Sequence, residues 1–164
     1  MMTLLIAHRG LLDGPDTETE NTPGAVELAR RLGYDVEIDL WKIDGDWYLG
    51  HDGPQYPIDL DWLRSIDRRS YLDTHHAWIH AKNIDALYGL RRIHWEGHLF
   101  YHQNDDVVIT NTGYLWTYPG KQLTPLSICV MPEWTDAMDR IADLRVVVAG
   151  FCTDHVRRIE SILR

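Results

Sequence analysis

"DVEIDLWKIDGDWYLGHDGP", residues 35–54, puts two carboxylates into a strand otherwise built of aliphatic residues. Val36, Ile38 and Leu40 alternate with Glu37 and Asp39. Successive side chains of a strand point to opposite faces, so the two acids share one face and the aliphatics the other. Carboxylates so close together repel. Near an interior they are tolerated only beside a cation or in an enclosed polar site. Asp44-Gly45 then turns the chain, and a short extended return leads into His51-Asp52. This stretch predicts a strand with one packing face and one chemical face.

The flanking sequence alternates strands and helices. "TLLIAHRG" reads as a strand running into a loop, and "NTPGAVELARRLG" as a helix with Thr22 at the N-cap, Pro23 at the first position and Gly33 at the C-cap. "DLDWLRSID" predicts a short helix, "AWIHAKN" a strand, and "IDALYGLRRI" a helix after Asn83. "GHLFYHQN" predicts a strand, and "DVVITNTGYLWTYPG" a hairpin about Asn111-Thr112-Gly113. The chain then reads as strand "LSICVMPE", helix "WTDAMDRIADL", strand "RVVVAGFCTD" and closing helix "TDHVRRIESILR".

Strand-then-helix order at both ends argues for parallel βα units. A full (β/α)8 barrel takes ~250 residues, and each parallel crossover needs a dozen or more residues. Residues 104–125 cannot hold two crossovers. The expectation is one α/β domain over residues 1–164, a reduced TIM-type (β/α) barrel with helices missing on one side. Such a barrel could cover its bare side with a second copy, as a homo-oligomer.

The 164 residues are 45% hydrophobic, enough for a single core. The net charge of −9 argues against a nucleic-acid or anionic-membrane binder. No apolar run approaches the ~20 residues of a membrane span, and "MMTLLIAHRG" lacks the charged start of a signal peptide. Cys129 and Cys152 lie in apolar runs without metal spacing and read as reduced core thiols. A cytoplasmic location is expected.

Four groups fall at or just beyond predicted strand ends: His8-Arg9-Gly10, Glu37 with Asp39, His80 with Lys82, and His51-Asp52. In a parallel barrel these ends gather on one face. Each group alone has an ordinary reading as a surface charge or a hydrogen-bonded histidine. Together they supply metal-type ligands, two imidazoles for proton transfer and two cations, which suits chemistry at a phosphate ester.

"IAHRG" followed by "ENTPGAVELARRLGYDVEIDLWKIDGDWYLGHD" resembles the opening of the glycerophosphodiester phosphodiesterase family, over residues 6–52. That family opens with a His-Arg-Gly strand, a Glu-Asn-Thr helix entry, a Glu-x-Asp strand and a His-Asp after the next turn. "WIHAKN" resembles its Glu-x-Lys strand with His80 in place of the glutamate, and "GFCTDHVRRI" its closing strand and Thr-Asp helix entry. Residues 98–133 carry no motif of the family.

The resemblance implies that His8 and His51 are the general acid/base pair, that Arg9 binds phosphate oxygens and that Lys82 balances phosphoryl charge. Glu37 and Asp39 would hold a divalent metal ion (Mg²⁺, Mn²⁺ or Ca²⁺), with His80 as a third ligand and Glu20 within reach. A competing reading of His80 is a hydrogen bond to Asp39. For Asn21 and Thr22 a turn and cap role is expected. His102, Asp105, Asp106 and Glu133 could line the mouth, and Trp116 or Tyr118 could wall it for an apolar or sugar-like group. His75, His76, His94, His98 and His155 read as solvated surface residues.

The expected activity is metal-assisted cleavage of a small-molecule phosphodiester, a glycerophosphodiester or sugar-phosphate diester. One alternative is a catalytically inactive barrel that binds phosphorylated sugars. Another is a lyase that stops at a cyclic phosphate.

Overall fold

The computed structural model describes residues 3–66 and 76–164; His75 lies outside the described residues. Among the described residues the chain forms ten strands: β1 (Leu4–Ala7), β2 (Asp35–Ile43), β3 (Asp46–Leu49), β4 (Tyr56–Ile58), β5 (Ala77–Ala81), β6 (His98–Phe100), β7 (Val107–Ile109), β8 (Leu115–Thr117), β9 (Ser127–Val130) and β10 (Gly150–Thr153). The helices are α1 (Pro23–Arg31), α2 (Leu60–Ser65), α3 (Ile84–Arg92), α4 (Ile141–Leu144) and α5 (Val156–Leu163). None is long and apolar enough to cross a membrane.

Eight strands run in the order β6-β5-β2-β1-β10-β9-β8-β7 and curl into a half-barrel. All neighbours are parallel except β7 against β8. The β3–β4 hairpin extends from the far half of β2. Asp44 and Gly45, at φ 52° and 101°, make the predicted turn. Helices join β1 to β2 and β5 to β6, whereas β6 to β9 is spanned by the β7–β8 hairpin without any helix. The absence of helices on this side matches the chain-length argument.

The bare side is still tied together. Asn111, just past β7, donates its amide to the Leu99 carbonyl (3.0 Å). Its side chain accepts from the Leu99 amide (2.7 Å) and donates to the Gly97 carbonyl (3.0 Å). One residue thus completes the hydrogen bonding of β6 where a neighbouring strand would.

Strand alternation separates two packing layers. Ile6, Trp78, Phe100, Trp116, Ile128, Val130 and Cys152 fill the inner face. Val36, Ile38 and Leu40 pack outward with Val26, Ala29, Ala86 and Leu90 of α1 and α3. A fully buried aliphatic of this kind contributes ~1.5–3 kcal/mol. Both cysteines are buried and free.

Three expectations are corrected. The predicted helix over 134–144 is broken into a 3₁₀ turn at Asp136–Arg140 followed by the short α4. Its buried residues Met138, Ile141 and Leu144 recur every third position, a spacing that a 3₁₀ turn presents on one face as readily as an α-helix does. The predicted strand over 145–154 begins only at Gly150, because the Val147 and Val148 amides bond back to the Leu144 carbonyl. His98 is buried, not solvated. It sits on the inner face of β6, stacked on Trp78 with ring centroids 3.7 Å apart, and its Nδ1 lies 2.6 Å from the Thr112 hydroxyl.

Candidate active site

The predicted residues meet at the carboxyl ends of the parallel strands. His8, Arg9, Glu37, Asp39, His51, His80 and Lys82 line one cavity of about 460 Å³, together with His102, Gln103, Trp116, Tyr118, Val130, Met131 and Trp134. A depression of about 680 Å³ at the opposite end and one of about 600 Å³ beside α1 are larger, but neither gathers such a set of titratable groups.

Backbone geometry around the cavity is unusual. Arg9, Asn21 and Met131 all have left-handed dihedrals, with φ of 52°, 57° and 45°. Side chains other than glycine pay for that conformation, and such strain concentrates at functional sites. At Gly10 (φ 78°) an added Cβ would lie 2.9 Å from the Ala25 and Val26 backbone, so the His-Arg-Gly turn requires glycine to sit against α1. Gly50 (φ 145°) precedes His51, where a Cβ would collide with the Gly53 carbonyl. Its amide donates to the Asp39 carbonyl (3.1 Å), and its carbonyl accepts from Trp41 Nε1 (2.7 Å). The His51 loop is pinned to β2 in this way.

Asp39 explains the tolerance for paired acids. Its Oδ1 lies 2.9 Å from His80 Nδ1 and 3.3 Å from Lys82 Nζ. Its Oδ2 accepts from Asn21 Nδ2 (3.0 Å) and lies 3.1 Å from His51 Nδ1 and 3.2 Å from Arg9 Nε. Burial alone would raise its pKa. The His51 and His80 hydrogen bonds and the Lys82 charge outweigh burial and hold Asp39 well below the usual carboxylate range. Asn21 is fully buried and also accepts from the Asp39 amide (3.0 Å), so its side chain fixes this carboxylate.

Glu37 is in the opposite situation. It is buried and, among the described residues, accepts one hydrogen bond, from the Arg9 amide (3.2 Å). Burial and the neighbouring Asp39 charge push its pKa up. A buried carboxylate with so little compensation suits a cation. Glu37, Asp39 and His80 each offer a ligand atom, all within 4.8 Å of one another. Two carboxylates and one imidazole form a donor set that a divalent ion would fit. Glu20 is not in this cluster; it bonds Arg9 Nη1 (2.8 Å).

His8 has a partner that sequence reasoning missed. Its Nδ1 lies 2.7 Å from Asp154 Oδ1, at the end of β10. A carboxylate can only accept, so Nδ1 carries the proton and the Nε2 lone pair lies on the Glu37 side, 3.9 Å from Oε2. Burial would lower the His8 pKa, but the Asp154 bond and the Glu37 charge raise it above its ordinary value. The signal was present in "CTDH", read only as part of a helix entry. Parallel β1–β10 pairing, with Ala7 opposite Thr153, brings Asp154 beside His8. Glu133 is turned away from the cavity, accepting from the Thr153 hydroxyl (2.8 Å) and the Asp154 amide (2.9 Å).

The other wall is aromatic. The His102 ring stacks on His80 with centroids 4.4 Å apart, and the Tyr118 hydroxyl bonds His102 Nε2. Burial, with His80 and Lys82 nearby, depresses the His102 pKa to about 4. Burial together with the Glu37 charge raises that of Tyr118. This pair is therefore uncharged at neutral pH. It bridges β6 and β8 across the bare side, while Asp105 and Asp106 remain exposed.

Comparison with known proteins returns no match: no family model, no curated protein and no solved structure aligns with this chain.

Proposed function

We propose that the protein is a metal-assisted phosphodiesterase acting on a small phosphodiester that carries a hydroxyl next to the ester oxygen. Its half-barrel is read as a reduced TIM-type barrel, and its motifs as those of a relative of the glycerophosphodiester phosphodiesterases. The observation that carries the reading is the His8–Asp154 pair facing Arg9, Lys82 and His51 across one cavity. A passive phosphate binder has no use for a buried imidazole with its tautomer fixed and its lone pair turned inward.

In this mechanism His8 Nε2 takes the proton of the neighbouring hydroxyl as its oxygen attacks phosphorus. The bond from phosphorus to the other ester oxygen breaks, and that oxygen takes a proton from His51. His51 Nδ1 lies 2.7 Å from Arg9 Nη2, which can only donate, and 3.1 Å from Asp39 Oδ2. Once Arg9 turns to the phosphate, Asp39 Oδ2 is the acceptor that remains for the protonated ring. A cyclic phosphate forms, which water then opens. On substrate binding Arg9 would turn its planar fork from Glu20 and His51 to phosphate oxygens, and Lys82 supplies a point charge. Glu37, Asp39 and His80 would hold the divalent ion, whose charge stabilises the anionic phosphoryl oxygens.

The test is turnover of glycerophosphocholine, whose glycerol carries the neighbouring hydroxyl, with and without divalent metal; bis-p-nitrophenyl phosphate, which lacks such a hydroxyl, should stay uncleaved. His8→Ala and His51→Ala should each lower kcat by ~10²–10⁴, with non-additive losses in the double variant. Full activity in either single variant removes that histidine from the mechanism. Phosphorus NMR of the product separates a hydrolase from a lyase that stops at the cyclic ester.

A further inference from the structure

We infer that the aromatic wall of this cavity holds a pyranose sugar, so that the substrate is a sugar phosphodiester rather than a choline or simple glycerol diester. The inference rests on the phosphodiesterase reading for the cleavage step but not for the binding. Its basis is Trp134, which lines the cavity and is nevertheless 67% exposed. The left-handed turn at Met131 sends the chain into a 3₁₀ turn at Pro132–Trp134, placing the indole at the rim of the site. A large aromatic held at a polar mouth, with no burial to gain from its own fold, is suited to a ligand surface.

The surroundings choose among ligands. Quaternary ammonium groups are recognised by cages of several rings. Here one ring is open: Trp116 is 2% exposed, and Tyr118 is tied to His102. Charge does not choose, because Glu37 and Asp39 offset Arg9 and Lys82 in the same cavity; the single open ring does. A pyranose offers an apolar C–H face for the indole and a rim of hydroxyls. The Tyr118 hydroxyl, bonded to His102 Nε2, and the exposed Gln103 amide stand on the same rim as polar partners for such a hydroxyl. The volume of about 460 Å³ lies within the ~300–1,000 Å³ of small-molecule sites.

Calorimetric titration of the full chain with glucose 6-phosphate, glycerol 3-phosphate and phosphocholine tests this without turnover. Glucose 6-phosphate should bind about tenfold tighter than glycerol 3-phosphate, a difference of ~1.4 kcal/mol. Trp134→Ala should erase that advantage and leave glycerol 3-phosphate binding unchanged, while Trp134→Tyr should keep most of it. Equal affinities, tightest binding of phosphocholine, binding of none of the three, or an equal loss for all three in Trp134→Ala overturns the proposal. The two readings fail separately. Selective sugar-phosphate binding without cleavage of any diester ends the catalytic reading alone, and cleavage without sugar selectivity ends this one alone.

Discussion

His8 shows how a single side chain acquires a role from its neighbours. An exposed imidazole exchanges its proton between two nitrogens; Asp154 allows only one arrangement, with Nδ1–H bound and Nε2 turned to the cavity. In the proposed mechanism Asp154 does not touch the reacting atoms and acts by positioning. Asp154→Asn can present an N–H in place of the acceptor and favour the wrong tautomer, as in catalytic triads where the matching change costs ~10⁴. The expected result is a kcat lowered by ~10²–10⁴ with little change in KM and an unchanged circular dichroism spectrum. A drop in KM affinity alone would place Asp154 in substrate binding instead. The residues at the charged wall were legible because Glu37 and Asp39 break an aliphatic strand in a recognisable way. Asp154 was not, since its importance depends on which strand lies next to β1, a fact of topology rather than of local pattern.

Among the elements, local signals proved good and boundaries poorer. Thr22, Asp59 and Asn83 each accept a hydrogen bond at the start of α1, α2 and α3, and at Thr22 and Asn83 sequence had marked a helix start. At Asp136–Arg140 an α-helix was expected and a 3₁₀ turn formed, the α-helix beginning only at Ile141. Asn111 was read only as a turn residue, yet it serves as a one-residue strand against β6. Asn111→Ala leaves the Leu99 amide and the Gly97 carbonyl without these partners, and an unpaired buried polar group costs ~1–3 kcal/mol. Urea denaturation should show a loss of about 2 kcal/mol; a change within experimental error would mean that solvent replaces both bonds. A second tie joins the start of β2 to the last helix: the Tyr34 hydroxyl, just before β2, donates to Glu160 of α5 (2.6 Å). Burial and the Glu160 bond push the Tyr34 phenol up to about 12. Between about pH 10 and 12 the unfolded chain gives up this proton while the native state keeps it. The contribution is thus complete below about 10 and fades as pH rises through 12. Thermal melts of Tyr34→Phe should show a flatter decline across that window than wild type, and parallel declines would remove this tie from the alkaline behaviour.

For the molecule as a whole, the balance of charge around the half-barrel decides how the site can be filled. Arg9 and Lys82 oppose Glu37, Asp39 and Glu20, so the described charged wall carries one net negative charge when these carboxylates are ionised and the histidines neutral. Adding a phosphodiester anion makes it two, which a divalent ion cancels. Ion binding should therefore be tighter when a phosphate ester is present, and because it stabilises only the folded chain it should raise Tm by mass action. Oxygen ligands suit Mg²⁺ and Ca²⁺, and the imidazole of His80 adds preference for Mn²⁺ or Zn²⁺. The expected outcome is a larger rise in Tm with Mn²⁺ than with Mg²⁺, with His80→Glu moving the preference back toward Mg²⁺. Asp39 supplies the competing possibility, because His80 Nδ1 already lies 2.9 Å from its Oδ1. If that bond is the whole role of His80, His80→Ala will lower stability without altering metal affinity or ion order. If His80 is a ligand, the same variant will weaken Mn²⁺ more than Mg²⁺, because only the ion that favours nitrogen loses a preferred donor.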